Sequence, residues 1–364
     1  MCRDSAKIYT MKAVLLKGHG GFDQLEYRHD VPIPVPMAGE VLIRVLAARV
    51  NNTDINTRTA WYSRSVTEGT AAGGAAGFPA ARSDDSGWTG AVPVFPRIQG
   101  ADACGRIVSV GEDVDAARIG ERVLIEPVFR TAHGGLERVT YFGSECDGAF
   151  AQYARAPAVH AHTMSSALSD VELAAFPCAY SAALNMLTRL KVTAGETVLV
   201  TGASGGVGSA AVQLAKRRGA TVLAIAGAPK AAAVGSLGAS QVYPRDTDLV
   251  AAIGRESVDA VIDVVGGDEF PALLEVLRRG GRYAVAGAIA GPTVRLDLRT
   301  LYLKDLRFYG CTVLEAGVFS DLVSYIGSGQ LRPMVASVHP LSAIVEAQQE
   351  FLQKRHTGKI VLIP

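Results

Sequence analysis

A glycine-rich stretch in the second half of the chain constrains the fold more than any other feature of the sequence. Residues 198–208 read Val-Leu-Val-Thr-Gly-Ala-Ser-Gly-Gly-Val-Gly, a short apolar strand and a turn, and residues 209–218 continue as a helix. Glycines in such a turn let backbone N–H groups and the positive end of the helix approach a pyrophosphate without obstruction by Cβ atoms. Ala203 replaces the first glycine of the usual pattern, so the prediction of a dinucleotide-binding βαβ unit depends on the flanking strand and helix.

Apolar runs alternate with helical segments from about Asp170 onward, a pattern typical of a parallel sheet with crossover helices. The predicted strands are 197–201, 221–226, 241–243, 258–264, 282–286 and 307–311. The predicted helices are 206–218, 229–237, 271–277, 319–326 and 342–354, the last with Ser342 as its N-cap.

The first part of the chain predicts a β-rich unit instead. Residues 11–16 and 40–48 are β-branched runs separated by turn-forming residues, and a further strand is predicted at 359–363. Residues 63–97 are rich in glycine, alanine and serine and show no periodicity. We expect them to form a long surface loop, which is either a lid over a substrate or a tolerated insertion.

Length and composition exclude several classes of protein. The 364 residues suit two domains, and a net charge of +1 without a Lys/Arg cluster argues against a nucleic-acid or anionic-membrane partner. No apolar run reaches the ~20 residues that span a bilayer, and the first ten residues lack the apolar core of a signal peptide, so we expect a cytoplasmic protein. The five cysteines form no CxxC pair, which favours reduced thiols.

The end of the second strand of a dinucleotide-binding unit decides which nicotinamide cofactor binds. An acidic residue there binds the ribose diol of NAD, and a basic residue binds the 2′-phosphate of NADP. Residues 224–230 read Ala-Ile-Ala-Gly-Ala-Pro-Lys and contain no acid. Gly227 leaves room for a phosphate, while Lys230 and Arg245 can reach it, which favours NADP(H). The alternative for Lys230 is a solvated lysine in the first turn of a helix.

The remaining cofactor contacts are expected beyond the carboxyl ends of the parallel strands. Ser181, in the helix that leads into the nucleotide-binding unit, is a weaker candidate. The predicted contacts of the turn are Ser204, Gly205, Gly206, Val207 and Gly208, and those of the later strand ends are Val264, Val265, Gly266, Ala286 and Gly287.

Several short motifs extend the pattern over nearly the whole chain. They are Met11-Lys-Ala-Val, Gly39-Glu-Val-Leu-Ile-Arg-Val, Asn51-Asn-Thr-Asp54, Gly100-Ala-Asp-Ala-Cys-Gly105, Gly120-Glu-Arg-Val, the glycine-rich turn and Gly358-Lys-Ile-Val-Leu. With these motifs the sequence resembles the medium-chain dehydrogenase/reductase superfamily, in its zinc-independent quinone oxidoreductase-like branch. The resemblance implies an α/β protein with a GroES-like β-rich catalytic domain at 11–165 and 311–364, and a Rossmann domain with a doubly wound parallel sheet at 166–310. It also implies a homodimer formed by edge strands near residues 306–311.

Zinc-dependent members of this superfamily hold their metal with two cysteines and a histidine. The positions in this chain that resemble those ligands are Asn51, Ala101 and Cys178, and a single thiolate cannot hold zinc. The four-cysteine structural lobe is also missing, because residues 126–146 contain one cysteine. We therefore expect no metal.

The resemblance also suggests the residues that face the substrate. Asn51 and Tyr62 match positions where zinc-free relatives place polar side chains, and both can donate a hydrogen bond to a carbonyl oxygen that gains negative charge. The alternatives are a turn or cap role for Asn51 and loop packing for Tyr62. Asp54 and Asp102 are expected to be structural and to pair with basic neighbours.

Three functions are compatible with the sequence. The first is an NADPH-dependent reductase that transfers hydride to a quinone, an enone or an enoyl thioester. The second is an alcohol or carbonyl dehydrogenase that has lost its metal, and the third is a non-enzymatic protein that binds NADPH as a stabilising ligand. The substrate itself, a small molecule, is not named by the sequence, because residues 63–97 and 129–150, which are expected to wall the pocket, follow no readable pattern.

Overall fold

The computed structural model describes residues 9–90, 92–133 and 136–364. Its strands are β1 Thr10–Leu16, β2 Leu25–Pro32, β3 Glu40–Arg49, β4 Arg97–Ile98, β5 Asp102–Val110, β6 Arg122–Ile125, β7 Val128–His133, β8 Leu136–Tyr141, β9 Tyr153–Pro157, β10 Ala161–Thr163, β11 Thr197–Val200, β12 Thr221–Ile225, β13 Gln241–Tyr243, β14 Val258–Asp263, β15 Leu277–Val285, β16 Arg307–Gly310, β17 Val335–Pro340 and β18 Lys359–Ile363. Its α-helices are α1 Asn52–Thr59, α2 Asp170–Leu173, α3 Pro177–Arg189, α4 Gly206–Arg217, α5 Ala231–Ser236, α6 Leu249–Ile253, α7 Phe270–Val276, α8 Leu298–Leu303, α9 Val318–Gly327 and α10 Ile344–Gln353.

The second half of the chain forms a six-stranded sheet in the order β13-β12-β11-β14-β15-β16, with every neighbouring pair parallel. The sequence prediction of this sheet is confirmed strand by strand. The central strands are buried because helices cover both faces, which is why they read as continuous apolar runs. From β11 the chain adds β12 and β13 on one side of the sheet, and from β14 it adds β15 and β16 on the other side. The strand order therefore reverses between β11 and β14, and ligands of such sheets bind in the crevice formed there.

Two predicted helix boundaries differ from the structure. The helix predicted to begin at Ser342 begins at Ile344, and its N-cap is Ala343 without a side-chain cap. Ser342 lies inside a 3₁₀ turn that starts at the buried Leu341, so its hydroxyl is not placed at the helix boundary. The segment predicted as one helix at 229–237 is divided into a 3₁₀ turn, Ala228–Lys230, followed by α5.

Both ends of the chain meet in a second, mainly antiparallel sheet. Its order is β10-β6-β5-β3-β18-β17, with β9 also paired to β3, so that the C-terminal strand lies beside an N-terminal one. A three-stranded sheet, β2-β1-β4, and the β7–β8 hairpin complete this β-rich half. The strands enclose their own apolar core.

Helices α3 and α9 join the two halves. They pack against each other, and α3 also packs on α4, within one apolar cluster that reaches Ala47 and Tyr141 of the β-rich half. Within the described ranges, no helix has the length and apolar character needed to cross a bilayer.

Residues 63–90 and 92–96 form a loop that is mostly exposed but is anchored at several points. Ser63, Thr70 and Ser86 are buried, and the Thr70 N–H donates to the Ile289 carbonyl at 3.1 Å, on the other side of the cleft. A Cβ on Gly69 would come within 2.6 Å of that carbonyl oxygen. Small residues therefore let the segment pack closely here, and they are also the reason that its sequence shows no periodicity. The predicted long loop is confirmed, since residues 63–90 and 92–96 contain no helix or strand and most of them are exposed, but these contacts anchor it to the rest of the chain.

Candidate active site

The glycine-rich turn has the geometry of a phosphate-binding site. Gly202 ends β11 in the left-handed region with φ +55°, and a Cβ on Gly208 would lie 2.3 Å from the Gly202 carbonyl oxygen. Both positions therefore need glycine. Residues 204–207 remain accessible at the N-terminus of α4, where the first N–H groups of a helix lack intrahelical partners. Ser204, Gly205, Gly206, Val207 and Gly208 are thus arranged to hold a pyrophosphate.

Two cations from the β-rich half contact this turn. Lys359 is buried and donates to the Gly206 carbonyl and the Ser209 hydroxyl, both at 3.0 Å. Burial and the charge of Arg49 lower the pKa of Lys359 well below its usual value, against the opposing effect of Asp102. The Arg49 guanidinium lies 2.5 Å from where a Cβ on Gly206 would stand, and its Nε has no hydrogen-bond partner among the residues that the structure describes. The turn therefore lies against positive charge.

The loops after β14 and β15 pack beside the turn. Val264 and Val265 would contact a Cβ on Gly202 at 3.1 and 3.2 Å. The carboxylate of Asp263, which sequence reasoning missed, fixes this loop by accepting the N–H groups of Val265 and Gly266 at 2.8 and 3.2 Å. The Thr201 hydroxyl at 2.5 Å and the Tyr283 hydroxyl at 2.6 Å complete its hydrogen bonds.

The residues that follow β15 face the same crevice. The Ala286 N–H donates to the Asp263 carbonyl at 3.2 Å, and a Cβ on Gly287 would meet the Val264 carbonyl oxygen only at 3.4 Å. The structure therefore brings the sequence-predicted residues Val264, Val265, Gly266, Ala286 and Gly287 to one edge of the sheet, next to the turn.

A buried carboxylate, Asp102, organises the other wall of the cleft. It accepts the Asn51 amide at 2.8 Å, the Cys178 backbone N–H at 2.5 Å and Arg49 at 3.3 Å. Asn51 Nδ2 also lies 3.3 Å from the Arg49 carbonyl, so both of its hydrogens are directed at protein acceptors. This differs from the expected contact with a substrate, because the N-cap position of α1 turns the amide toward Asp102.

Asp54 supports the same corner from inside α1. Its carboxylate accepts the N–H of Asn51 at 2.7 Å and that of Gly100 at 3.2 Å, which caps the helix. Burial, and then the charge of Asp102, raises the pKa of Asp54 to about 7, although both backbone contacts lower it. Asp102 pairs with a basic residue as expected, whereas Asp54 bonds the backbone instead.

Tyr62 lies at the end of an aromatic stack. Its ring is parallel to Trp88 with centroids 6.0 Å apart, and Trp88 stacks on Tyr141 at 3.8 Å. Burial raises the pKa of Tyr62 to about 12, while the side chains of Thr53 and Asn56 lower it in part. The Tyr62 phenol therefore remains a neutral hydrogen-bond donor at physiological pH.

The end of β12 carries the predicted cations. The Arg245 guanidinium lies 3.8 Å from the position of a Cβ on Gly227, and Lys230 donates to the carbonyls of Lys354 and His356, both at 2.7 Å. Partial burial and the charge of Arg245 lower the pKa of Lys230. Lys230 and Arg245 thus lie close together, and the contacts of the described residues include no carboxylate that would compensate their charge.

The positions that hold zinc in metal-dependent relatives carry no ligand set here. Asn51 is bonded to Asp102, Ala101 is buried, and Cys178 presents a thiol. Of these three residues, only Cys178 has a side chain that commonly binds zinc. Burial and the charge of Asp102 raise the pKa of its thiol well above its usual value. Along residues 9–90, 92–133 and 136–364, no three His, Cys, Asp or Glu side chains are grouped so that they could hold a metal ion.

Ser181 does not reach the crevice through its hydroxyl, which lies 3.2 Å from the Cys178 carbonyl inside α3. Sequence reasoning missed Arg49, Lys359, Trp88 and Tyr141. Lys359 stands in the recognised Gly358-Lys-Ile-Val-Leu motif, and that motif was the available signal. The positions of Arg49, Trp88 and Tyr141 are set by tertiary packing, which the sequence around them does not reveal.

Family models match both halves of the chain. The model described as alcohol dehydrogenase GroES-like domain matches residues 37–166, and the model described as zinc-binding dehydrogenase matches residues 206–327. Together the two matches cover more than half of the chain.

Similar proteins cover nearly its full length. The chain is 27% identical to the quinone oxidoreductase of Homo sapiens, over 97% of this chain and 98% of the relative. It is 29% identical to the acryloyl-coenzyme A reductase of Metallosphaera sedula, over 97% and 99%. A candidate alcohol dehydrogenase of Sinorhizobium meliloti 1021 superposes with a TM-score of 0.85 and is 46% identical over 98% of this chain and 97% of that one. The chain therefore belongs to the medium-chain dehydrogenase/reductase superfamily, in its quinone oxidoreductase-like branch, and is an NAD(P)-dependent oxidoreductase.

Proposed function

We propose that the protein is a zinc-free, NADPH-dependent reductase of quinones or of carbonyl compounds conjugated to a double bond. The observation that carries the proposal is the proximity of two sites. Ala179 lies 3.6 Å from the position of a Cβ on Gly206, and its neighbour Cys178 is close enough to Tyr62 to influence the pKa of the phenol. The phosphate-binding turn and the pocket with neutral hydrogen-bond donors therefore meet at the start of α3.

The cations at the end of β12 support NADPH rather than NADH. Lys230 and Arg245 lie close enough for the charge of one to lower the pKa of the other. A 2′-phosphate between them would relieve this repulsion and form charge-assisted hydrogen bonds. Residues 224–230 contain no carboxylate to bind a ribose diol.

The pocket fits a reaction in which negative charge grows on a substrate oxygen. A nicotinamide held beyond the ends of β14 and β15 would supply a hydride. The C–H bond would then form at the β-carbon of an enone as the C=C electron pair moves toward the carbonyl. The Tyr62 phenol donates a hydrogen bond to the oxygen as its charge develops. Asn51 acts through Asp102 as a positioning residue, and a proton from water completes the product at the α-carbon.

A metal-dependent alcohol dehydrogenase is the second candidate, because several similar structures bear that name. Asn51 is bonded to Asp102 and Ala101 offers no ligand, so Cys178 is the single side chain of these positions that commonly binds zinc, which argues against a zinc ion there. Without such an ion, nothing in the pocket stabilises an alkoxide as a Lewis acid does.

The proposal is tested by supplying NADPH with quinones, enones and enoyl thioesters and following cofactor oxidation. We expect turnover with at least one of these classes. Tyr62→Phe should lower the hydride-transfer rate about tenfold while the NADPH Kd stays within about twofold of the parent value. Oxidation of alcohols without reduction of any of these acceptors would contradict the proposal.

The homodimer implied by the family is also proposed here. Strand β16 ends the parallel sheet, and a groove of about 610 Å³ beside it is lined by Leu301, Tyr302, Leu306 and Phe308 among others. An unpaired strand edge with apolar neighbours is suited to pairing with a second copy.

A further inference from the structure

Tyr141 carries a buried hydroxyl without a partner. The residue is 1% exposed, and its hydroxyl forms no hydrogen bond with any part of the chain that the structure describes. Buried tyrosine hydroxyls almost always find a partner, because an unsatisfied polar group destabilises the fold. The exception at Tyr141 therefore calls for a ligand or a function.

The groups around Tyr141 are those of the proposed active site. The electrostatic neighbours of its phenol include Tyr62 and Cys178 as well as Glu145 and Arg130. Burial raises the pKa of Tyr141 well above its usual value, so the hydroxyl keeps its proton and can only be used as a neutral donor or acceptor. Tyr62 has the Cys178 thiol as a neighbour too. Tyr62, Tyr141 and Cys178 thus lie within electrostatic range of one another, and Trp88 stacks on both tyrosine rings.

The Tyr141 ring is fixed by the segment 63–97. Trp88 covers its face with centroids 3.8 Å apart and ring planes 19° apart. Glu145 ties the two together: one carboxylate oxygen accepts the N–H and the hydroxyl of Thr89 at 3.2 and 3.1 Å, and the other accepts the Tyr141 N–H at 3.1 Å. The stack and this clamp leave the phenol little freedom to reorient.

We propose that Tyr141 is a further catalytic residue whose hydroxyl donates a hydrogen bond to the carbonyl oxygen of the acceptor, and that Trp88 is the residue that positions it. The inference rests on the proposed reductase function. It gives the orphaned hydroxyl the partner it lacks, and it makes the segment 63–97 part of the active site. Two neutral donors, Tyr62 and Tyr141, then share the charge that develops on one oxygen.

Tyr141→Phe separates a catalytic role from a structural one. Single-turnover NADPH oxidation with 4-phenyl-3-buten-2-one should slow about 10- to 100-fold, with the NADPH Kd within about twofold of the parent value. Because the substitution removes an unsatisfied buried group, the Tm should stay equal or rise by roughly 2 °C. Tyr153→Phe, a partly buried tyrosine of β9, is the matched control and should keep the parent rate.

The role of Trp88 is tested by rescue and by a double-mutant cycle. Trp88→Ala should slow hydride transfer, whereas Trp88→Phe, which keeps a stacking ring, should restore most of the rate. In a Tyr141→Phe background, Trp88→Ala should have little further effect, because the two residues act as a unit. An additive loss would overturn the positioning role.

A spectroscopic probe tests the contact without turnover. With oxidised NADP present, the absorption band of bound 4-(dimethylamino)cinnamaldehyde shifts to longer wavelength when its carbonyl oxygen accepts a hydrogen bond. We expect the shift in the parent protein and its reduction in Tyr141→Phe. An equal shift in both proteins, or an unchanged hydride-transfer rate in Tyr141→Phe, would overturn the inference. A parent protein that reduces no acceptor overturns the reductase function instead, and the probe then still decides the contact.

Discussion

Asp102 connects residues that are far apart in sequence. Its carboxylate accepts hydrogen bonds from Asn51, Cys178 and Arg49, and Arg49 lies against the phosphate-binding turn. The sequence predicts an ion pair for Asp102 but does not identify its partner. Arg49 lies in a strand, where a charged side chain usually points to solvent. One buried carboxylate thus connects the proposed substrate pocket to the glycine-rich turn.

Cys178 gives the first prediction at this scale. Since Asn51 and Ala101 offer no ligand and Cys178 alone cannot hold the ion, we expect the purified protein to contain no stoichiometric zinc. Chelator treatment should leave NADPH-dependent turnover unchanged. Elemental analysis that finds one tightly held zinc ion per chain would contradict this expectation.

The second prediction at this scale concerns the preference for NADPH, which depends on Lys230 and Arg245. Lys230→Ala and Arg245→Ala should each weaken NADPH binding by about tenfold while NADH binding changes by less than about twofold, because only NADPH carries the 2′-phosphate. Arg245→Ala is the cleaner variant, since Lys230 also holds the carbonyls of Lys354 and His356. Lys216→Ala, an exposed lysine at the far end of α4, serves as the control. Titration of both cofactors decides the matter, and equal affinities in the parent protein would contradict the assignment.

At the scale of elements, the parts of the fold that could be predicted are those whose sequence has a regular apolar pattern. The six parallel strands and α4 were predicted because burial between two helical layers imposes uninterrupted apolar runs, and glycines mark the turn. The contacts of residues 63–97 could not be predicted, since they depend on individual side chains such as Trp88 and Ser86 and on close approach at Gly69. The residues proposed to bind the cofactor can be found from local sequence pattern. The residues proposed to face the substrate are brought together by tertiary packing.

The anchoring of residues 63–97 predicts a dependence on pH. His19 lies between the Thr57 carbonyl, 2.8 Å from its Nδ1, and the Ser86 hydroxyl, 2.7 Å from its Nε2. Burial lowers the pKa of His19, so the folded protein binds a proton there less readily than the unfolded chain. The free energy of unfolding should therefore fall as pH drops through about 6.5, and the contribution of His19 is restored above it.

This effect can be followed locally. In a Trp61→Phe variant, the remaining tryptophan is Trp88, and its fluorescence should report loosening of the segment between about pH 7 and pH 5. His19→Gln, which keeps a hydrogen-bonding side chain but does not titrate, should flatten this response. A response that is identical in both proteins would assign the change to another group.

At the scale of the whole molecule, the edge of the parallel sheet predicts the assembly. The parent protein should sediment at twice the mass of one chain. Tyr302→Asp places a charge in the apolar groove beside β16, at a residue that is 61% exposed in the isolated chain, and should shift the protein toward monomer. Val159→Asp, at an apolar residue of the other half that is 78% exposed, should remain dimeric. A monomeric parent would contradict the proposed dimer.

The most direct test of the account is the position of the transferred hydride in the product. The protein is given 4-phenyl-3-buten-2-one and NADPH labelled with deuterium at the transferred position, in buffer treated with a chelator. The proposed reductase should yield the saturated ketone with deuterium at the β-carbon, because neutral donors such as Tyr62 stabilise charge on the oxygen while the conjugated carbon accepts hydride. An allylic alcohol with deuterium on the former carbonyl carbon would contradict the account and identify the protein as a carbonyl dehydrogenase.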